Sequence, residues 1–173
     1  MKYILSFAVL LGSFVMANPA NAQETKKRPS PAAAVAKKLA SGAEVSISYS
    51  QPSVKGRTIG KDLEPKVGQV WRTGANEATV FETTKDIKVN GKALPAGKYS
   101  LFTISGEKTW TVIFNKTWKQ WGSYDYKQAE DILRLDVKAQ KAPSFTEIMT
   151  FYITDKGEVS LLWGEHKIAF TVK

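Results

Sequence analysis

The chain of 173 residues contains no cysteine and a single histidine, His166. The first absence excludes disulfides, thiol nucleophiles, cysteine-zinc sites and a lipid-modified N-terminal cysteine. The second excludes metal centres built from several imidazoles, and any serine-histidine-acid triad would have to use His166. No Gly-x-Ser-x-Gly elbow accompanies it, and the Gly164-Glu165 pair places His166 in an expected turn, where a solvated ring is the ordinary outcome. A Ser-x-x-Lys spacing at Ser105 and Lys108 falls in an expected hairpin turn, not on a helix face, and is read as chance. No EF-hand spacing appears, so neither a metal nor a cofactor is expected. Long amphipathic helical patterns are missing after residue 42, and no later apolar run approaches membrane-spanning length. Acidic side chains are the minority, 16 against 25 Lys and Arg, for a net charge of +9.

What is present begins with an export pattern. Lys2 precedes an uncharged apolar run from Tyr3 to Met16, and Ala20-Asn21-Ala22 has the small-x-small form of a cleavage site. Residues 1–22 therefore read as a secretory signal peptide, with a periplasmic or secreted product and no membrane span left after its removal. About 150 residues remain, enough for one domain with a real core. Residues 23–42 read as a basic leader carrying Lys26, Lys27, Arg28, Lys37 and Lys38, and the alanine-rich stretch Ala32 to Leu39 predicts a short helix ended by Gly42. Such a leader suits anionic envelope polymer or lipid, or is a solvated tail. Nucleic acid is not an expected partner, since export separates the two and no recognition motif is present.

From residue 43 onward the apolar residues recur with a period of two. Val45, Ile47 and Tyr49 alternate with serines, and Trp110, Val112 and Phe114 with Thr111, Ile113 and Asn115. Leu133, Leu135 and Val137 form another such run, then Val159, Leu161 and Trp163, then Ile168, Phe170 and Val172. Asn90-Gly91 is a strong tight-turn signal after Ile87 and Val89, and Asp155 to Gly157 and Gly164-Glu165 read as further turns. Residues 43–173 are thus expected to form an all-β, antiparallel sandwich or barrel of about eight or nine strands. Lys116 to Ala129 breaks the period and reads as a long loop with one helical turn at most.

Five stretches in order carry a family resemblance: Tyr49 to Arg57, Val70-Trp71-Arg72-Thr73-Gly74-Ala75-Asn76-Glu77-Ala78-Thr79, Leu94 to Leu101, Trp121-Gly122-Ser123-Tyr124, and Leu162-Trp163. With these the chain resembles the exported bacterial proteins known as domain of unknown function 2911, from about Pro29 to the C-terminus. The resemblance implies export, a single domain and mainly β structure. It transfers no catalytic residue.

Two residue groups stand out chemically. Arg72 offers a planar fork of donors for a carboxylate or phosphate, beside a turn in which Asn76 tolerates left-handed backbone. Lys55 and Arg57 lie in a second loop that can converge on it. The functional reading is an anion or polar-sugar site. The structural reading pairs Arg72 with a carboxylate such as Glu77 or Asp131 and uses Asn76 to satisfy the turn. The second group is Trp118, Trp121 and Tyr124 in the irregular stretch. Their rings either stack on sugar faces or fold back to cover a sheet edge. Together these side chains suggest a non-enzymatic binding protein for a glycan or a carboxylate-bearing envelope ligand. Two other readings stay open, a glycan hydrolase using two of Glu77, Asp125, Glu130, Asp131 and Glu165, and a structural envelope protein.

Overall fold

The computed structural model describes residues 30–173. The signal-peptide assignment and the basic cluster Lys26 to Arg28 lie outside that range. These residues are built almost wholly from antiparallel strands: β1 (Ala32–Lys38), β2 (Glu44–Ser50), β3 (Val70–Trp71), β4 (Thr79–Thr83), β5 (Ile87–Val89), β6 (Lys92–Leu94), β7 (Gly97–Ile104), β8 (Thr109–Asn115), β9 (Asp131–Lys138), β10 (Gln140–Ile153) and β11 (Glu158–Thr171). One 3-10 turn, Gln128–Glu130, precedes β9.

One layer is a sheet in the order β1-β2-β4-β7-β8-β9, with β3 also paired to β7. The facing layer centres on the long β10–β11 hairpin. The β5–β6 hairpin extends it, because Lys88 and Lys173 exchange backbone hydrogen bonds of 2.8 and 3.0 Å. On the other flank, the chain leaving β2 crosses over to β10: Met149 N donates to Pro52 O (3.0 Å) and Val54 N to Glu147 O (2.9 Å). The result is an open two-layer sandwich, not a closed barrel.

The period-two pattern dictates what lies between the layers. Val45, Ile47, Phe81, Leu101, Val112 and Phe114 project from the first sheet, and Met149, Phe151, Val159, Leu161 and Phe170 from the second, all buried. Aromatic rings interlock edge to face within and between the layers, Phe114 lying 5.0 Å from Phe81 of its own sheet and 5.8 Å from Phe170 across the gap. The Tyr49 ring meets Phe151 edge-on at 4.9 Å, and its hydroxyl accepts the Phe151 N–H at 3.1 Å. That bond pins the two layers together at a position where an apolar ring would leave the amide unsatisfied.

Two expectations are corrected. The alanine-rich segment is not a helix. Ala32–Lys38 pairs in full register with β2, and Lys37 forms an ion pair with Asp155 of the β10–β11 turn. Local alanine propensity loses to a strand edge that supplies a hydrogen-bond ladder and a half-buried face. The sheet therefore starts at Ala32, within the segment read as leader, and Gly42 closes a hairpin instead of capping a helix. The second correction concerns Gly164-Glu165, which is no turn. β11 runs unbroken from Glu158 to Thr171, and Gly164 (φ +58°) absorbs the change of parity as a bulge. A side chain there would meet Ile59 at 2.7 Å. His166 consequently lies within a strand, exposed, its ring 6.1 Å from that of Trp110.

Candidate functional site

Arg72 leaves β3 at the start of a buried turn that leads into β4. Thr73 (φ 52°) and Asn76 (φ 60°) are both left-handed without being glycine, a conformation that costs about 1 kcal/mol or more and needs surrounding support. The support is visible. Trp71 Nε1 donates to Gly74 O (3.1 Å), Thr79 Oγ1 to Thr73 O (2.8 Å), Thr79 N to Arg72 O (3.1 Å) and Ala75 N to Ser50 O (3.2 Å). The Asn76 side-chain amide donates to Ser30 O at 3.1 Å, and the Asn76 backbone carbonyl accepts from Gly122 N at 3.2 Å.

This turn forms one wall of a cleft of about 380 Å³. Lys55, Arg57 and Arg72 all line it, together with Glu64, Trp71 and Trp163, whose indoles stack at 5.6 Å and 16°. The three cations differ in how much they have to offer. Arg57 is committed locally, donating from Nε to Val54 O (3.1 Å) and from Nη2 to Ser53 O (2.9 Å). Lys55 (φ 48°) is held by its backbone N–H on Glu147 Oε1 at 2.7 Å, and its side chain makes no hydrogen bond or ion pair among the described residues. Arg72 has neither a carboxylate within ion-pair distance nor a side-chain hydrogen bond among the described residues, and its Nε is buried. Trp163 Nε1 is likewise buried and unpartnered. The alternative reading of Arg72 is not met. Asp131 belongs to another cluster, where Arg134 Nη1 reaches it at 2.8 Å and the Tyr126 hydroxyl donates to it at 2.6 Å.

The remaining candidates form a separate place on the outer face. The loop after β8 is tied down by Asn115, whose Nδ2 donates to Lys127 O (3.0 Å) and Asp131 Oδ1 (2.8 Å) and whose Oδ1 accepts from Thr117 N (3.0 Å). The loop backbone then runs beside the chain entering β4, with Ala78 N on Gln120 O at 3.1 Å. Tyr126 packs its ring on Phe102 at 5.1 Å. Burial, then the hydrogen bond and charge of Asp131, push its phenol up to about 12. Trp118, Trp121 and Tyr124 are left 40%, 57% and 82% exposed. Trp118 and Trp121 border a groove of about 350 Å³ with Gln120 and Glu77, away from the cleft. The backbone of this loop thus runs against neighbouring chain, while the rings of Trp121 and Tyr124 stay more than half exposed.

The chain matches, over residues 30–172, the model of a family described as protein of unknown function, DUF2911. It belongs to that family. No curated protein and no solved structure matches it. For this member of DUF2911 the Trp71–Thr79 run that carries the resemblance is the buried turn of the cleft. Among the described residues no helix is long and apolar enough to cross a membrane, and no three His, Asp or Glu side chains gather as metal ligands. Of the carboxylates considered for hydrolysis, Glu130 is ion-paired with Lys116 (2.8 Å) and Asp131 with Arg134, while Glu77, Asp125 and Glu165 are exposed. Sequence reasoning passed over Trp163 and Gln120. The parity that marks Trp163 as core cannot show that it borders a cleft, and nothing in the sequence singles out Gln120.

Proposed function

We propose that this protein is a non-enzymatic, exported binding protein whose cleft takes a carboxylate-bearing envelope ligand, such as an acidic glycan fragment. One observation carries this reading: Arg72 is half-buried in a 380 Å³ cleft with no anionic or hydrogen-bonding partner for its guanidinium among the described residues. Leaving a buried donor unmade costs about 1–3 kcal/mol, more when it is charged. A carboxylate recovers that cost and matches the planar fork of donors. Lys55 adds a second positive charge at the cleft.

A thermal-shift comparison of glucuronate with glucose tests it. At about a hundred times its dissociation constant the acid adds roughly 2.7 kcal/mol of stability, which raises the midpoint by roughly 5–10 °C. Glucose gives a far smaller shift, and Arg72→Gln removes the response to the acid. An equal response to both sugars, or an unchanged response in the variant, contradicts an Arg72-centred acid site.

A further inference from the structure

We infer that the loop after β8 carries a second binding site, a stacking platform for a neutral glycan chain. It is separate from the cleft and independent of what the cleft binds. Three buried polar atoms have no partner among the described residues: Arg72 Nε, Trp163 Nε1 and Gln120 Oε1. Two are donors and belong to residues lining the cleft. The third is an acceptor and belongs to a residue lining the aromatic groove. Its orientation is fixed by the other end of the amide, because Gln120 Nε2 donates to Thr117 O and to Ser100 Oγ. That acceptor is enclosed as well as unpartnered, so an incoming O–H or N–H satisfies it with a small shift of the Gln120 side chain, and a second carboxylate would not serve it.

The rings specify the rest. Trp121 and Tyr124 leave more than half of their surface in water, and exposed apolar surface gathered in one place marks a site of interaction. Here the loop beneath them is held at several points, by Asn115, by the Trp121–Glu77 bridge and by Gly122 N on Asn76 O. The scaffold therefore holds flat apolar faces in water at little ordering cost on binding. Lys98 sits 5.2 Å from the Trp118 ring centre, and Lys119 and Glu77 stand within the same groove. A protein partner would desolvate those charges at the middle of an interface, where charged residues are depleted. A pyranose has one apolar C–H face for the ring and a rim of hydroxyls for Gln120 and Lys119, so it fits the mixture.

Isothermal titration calorimetry of the whole chain with cellohexaose and chitohexaose is the test. The inference expects saturable binding of at least one of them and at least a tenfold loss of affinity in Trp121→Ala. It expects undiminished affinity in Arg72→Gln, and at least a tenfold loss when the hexasaccharide hydroxyls are methylated. The methylation arm reads the unpartnered acceptor, which stacking alone would not. The inference is overturned by no saturable heat with either sugar, by unchanged affinity in Trp121→Ala, or by loss of binding in Arg72→Gln, which would put the sugar in the cleft. Self-association of the protein that Trp121→Ala abolishes would overturn it too, since the rings would then serve a protein contact.

Discussion

Among the described residues, the buried polar atoms without a partner are donors in the cleft, Arg72 Nε and Trp163 Nε1, and an acceptor on the aromatic ledge, Gln120 Oε1. The two places also differ in foundation. The cleft wall is a turn made of buried residues, with Trp71 and Thr73 almost fully enclosed. The ledge stands on an exposed loop held by side-chain hydrogen bonds to Asn115 and Asp131. A polar atom left without a partner in an otherwise satisfied region is a usable signal of what the region accepts, and its sign indicates the ligand's chemistry. Asn76 joins the two regions, its side chain on Ser30 at the cleft and its carbonyl on Gly122 of the ledge.

The sharpest way to break this contrast is a matched pair of glycine substitutions. A Cβ at Gly74 would lie 2.9 Å from Thr79 Oγ1 and 3.2 Å from Ser50 O, neither of which can move without disturbing the sheet. Gly74→Ala is expected to cost about 2–3 kcal/mol. At Gly122 (φ +62°) the neighbour is the exposed Tyr124 ring, which can swing away, so Gly122→Ala should cost about 1 kcal/mol from backbone strain alone. Urea unfolding of both variants measures the difference. Equal losses would mean the two regions are alike in rigidity.

Asp131→Ala sharpens the contrast from the other side. It strips partners from Arg134, Tyr126 and Asn115 at once. With Arg134 a third exposed, the expected loss is about 2 kcal/mol, not the larger penalty of a fully buried pair. Glycan affinity should fall while the glucuronate response of the cleft persists. A parallel loss of both would tie the two sites into one unit.

The smallest expected effect is on alkaline stability. The Tyr126 phenol is raised to about 12 from 10.0, so the folded chain holds this proton where the unfolded chain has lost it. Its contribution is complete below pH 10 and is lost as pH rises from 10 through about 12. Tyr126→Phe should flatten the fall in urea midpoint over that window. Some slope remains, because burial also raises Tyr49 and Tyr99. An identical slope in the variant would show that the phenol is not held as described.

Much of the sandwich was legible because burial between two layers imposes a period of two, as at Trp110, Val112 and Phe114. The Asn90-Gly91 hairpin and the Ser105 to Lys108 turn were legible because turn chemistry is local. The alanine-rich first strand was not, since its state is decided by the neighbouring β2 ladder and not by its own propensity. Gly164 misled for a related reason, because a bulge and a turn share the same residue preference. Of the site, the gathering of Lys55, Arg57 and Arg72 followed from two loops read separately, but their division from Trp118, Trp121 and Tyr124 depends on which side of the sheet each loop faces. Sequence spacing holds no record of that.

The most direct measurement is urea unfolding of the wild-type chain and Arg72→Met, each with and without glucuronate. Methionine keeps the apolar stem and removes the unpartnered charge. If Arg72 is an anion site held ready at a cost, the variant is more stable than wild type by about 1 kcal/mol without ligand and gains nothing from glucuronate. A variant that is less stable in buffer, or that glucuronate still stabilises, would contradict that account.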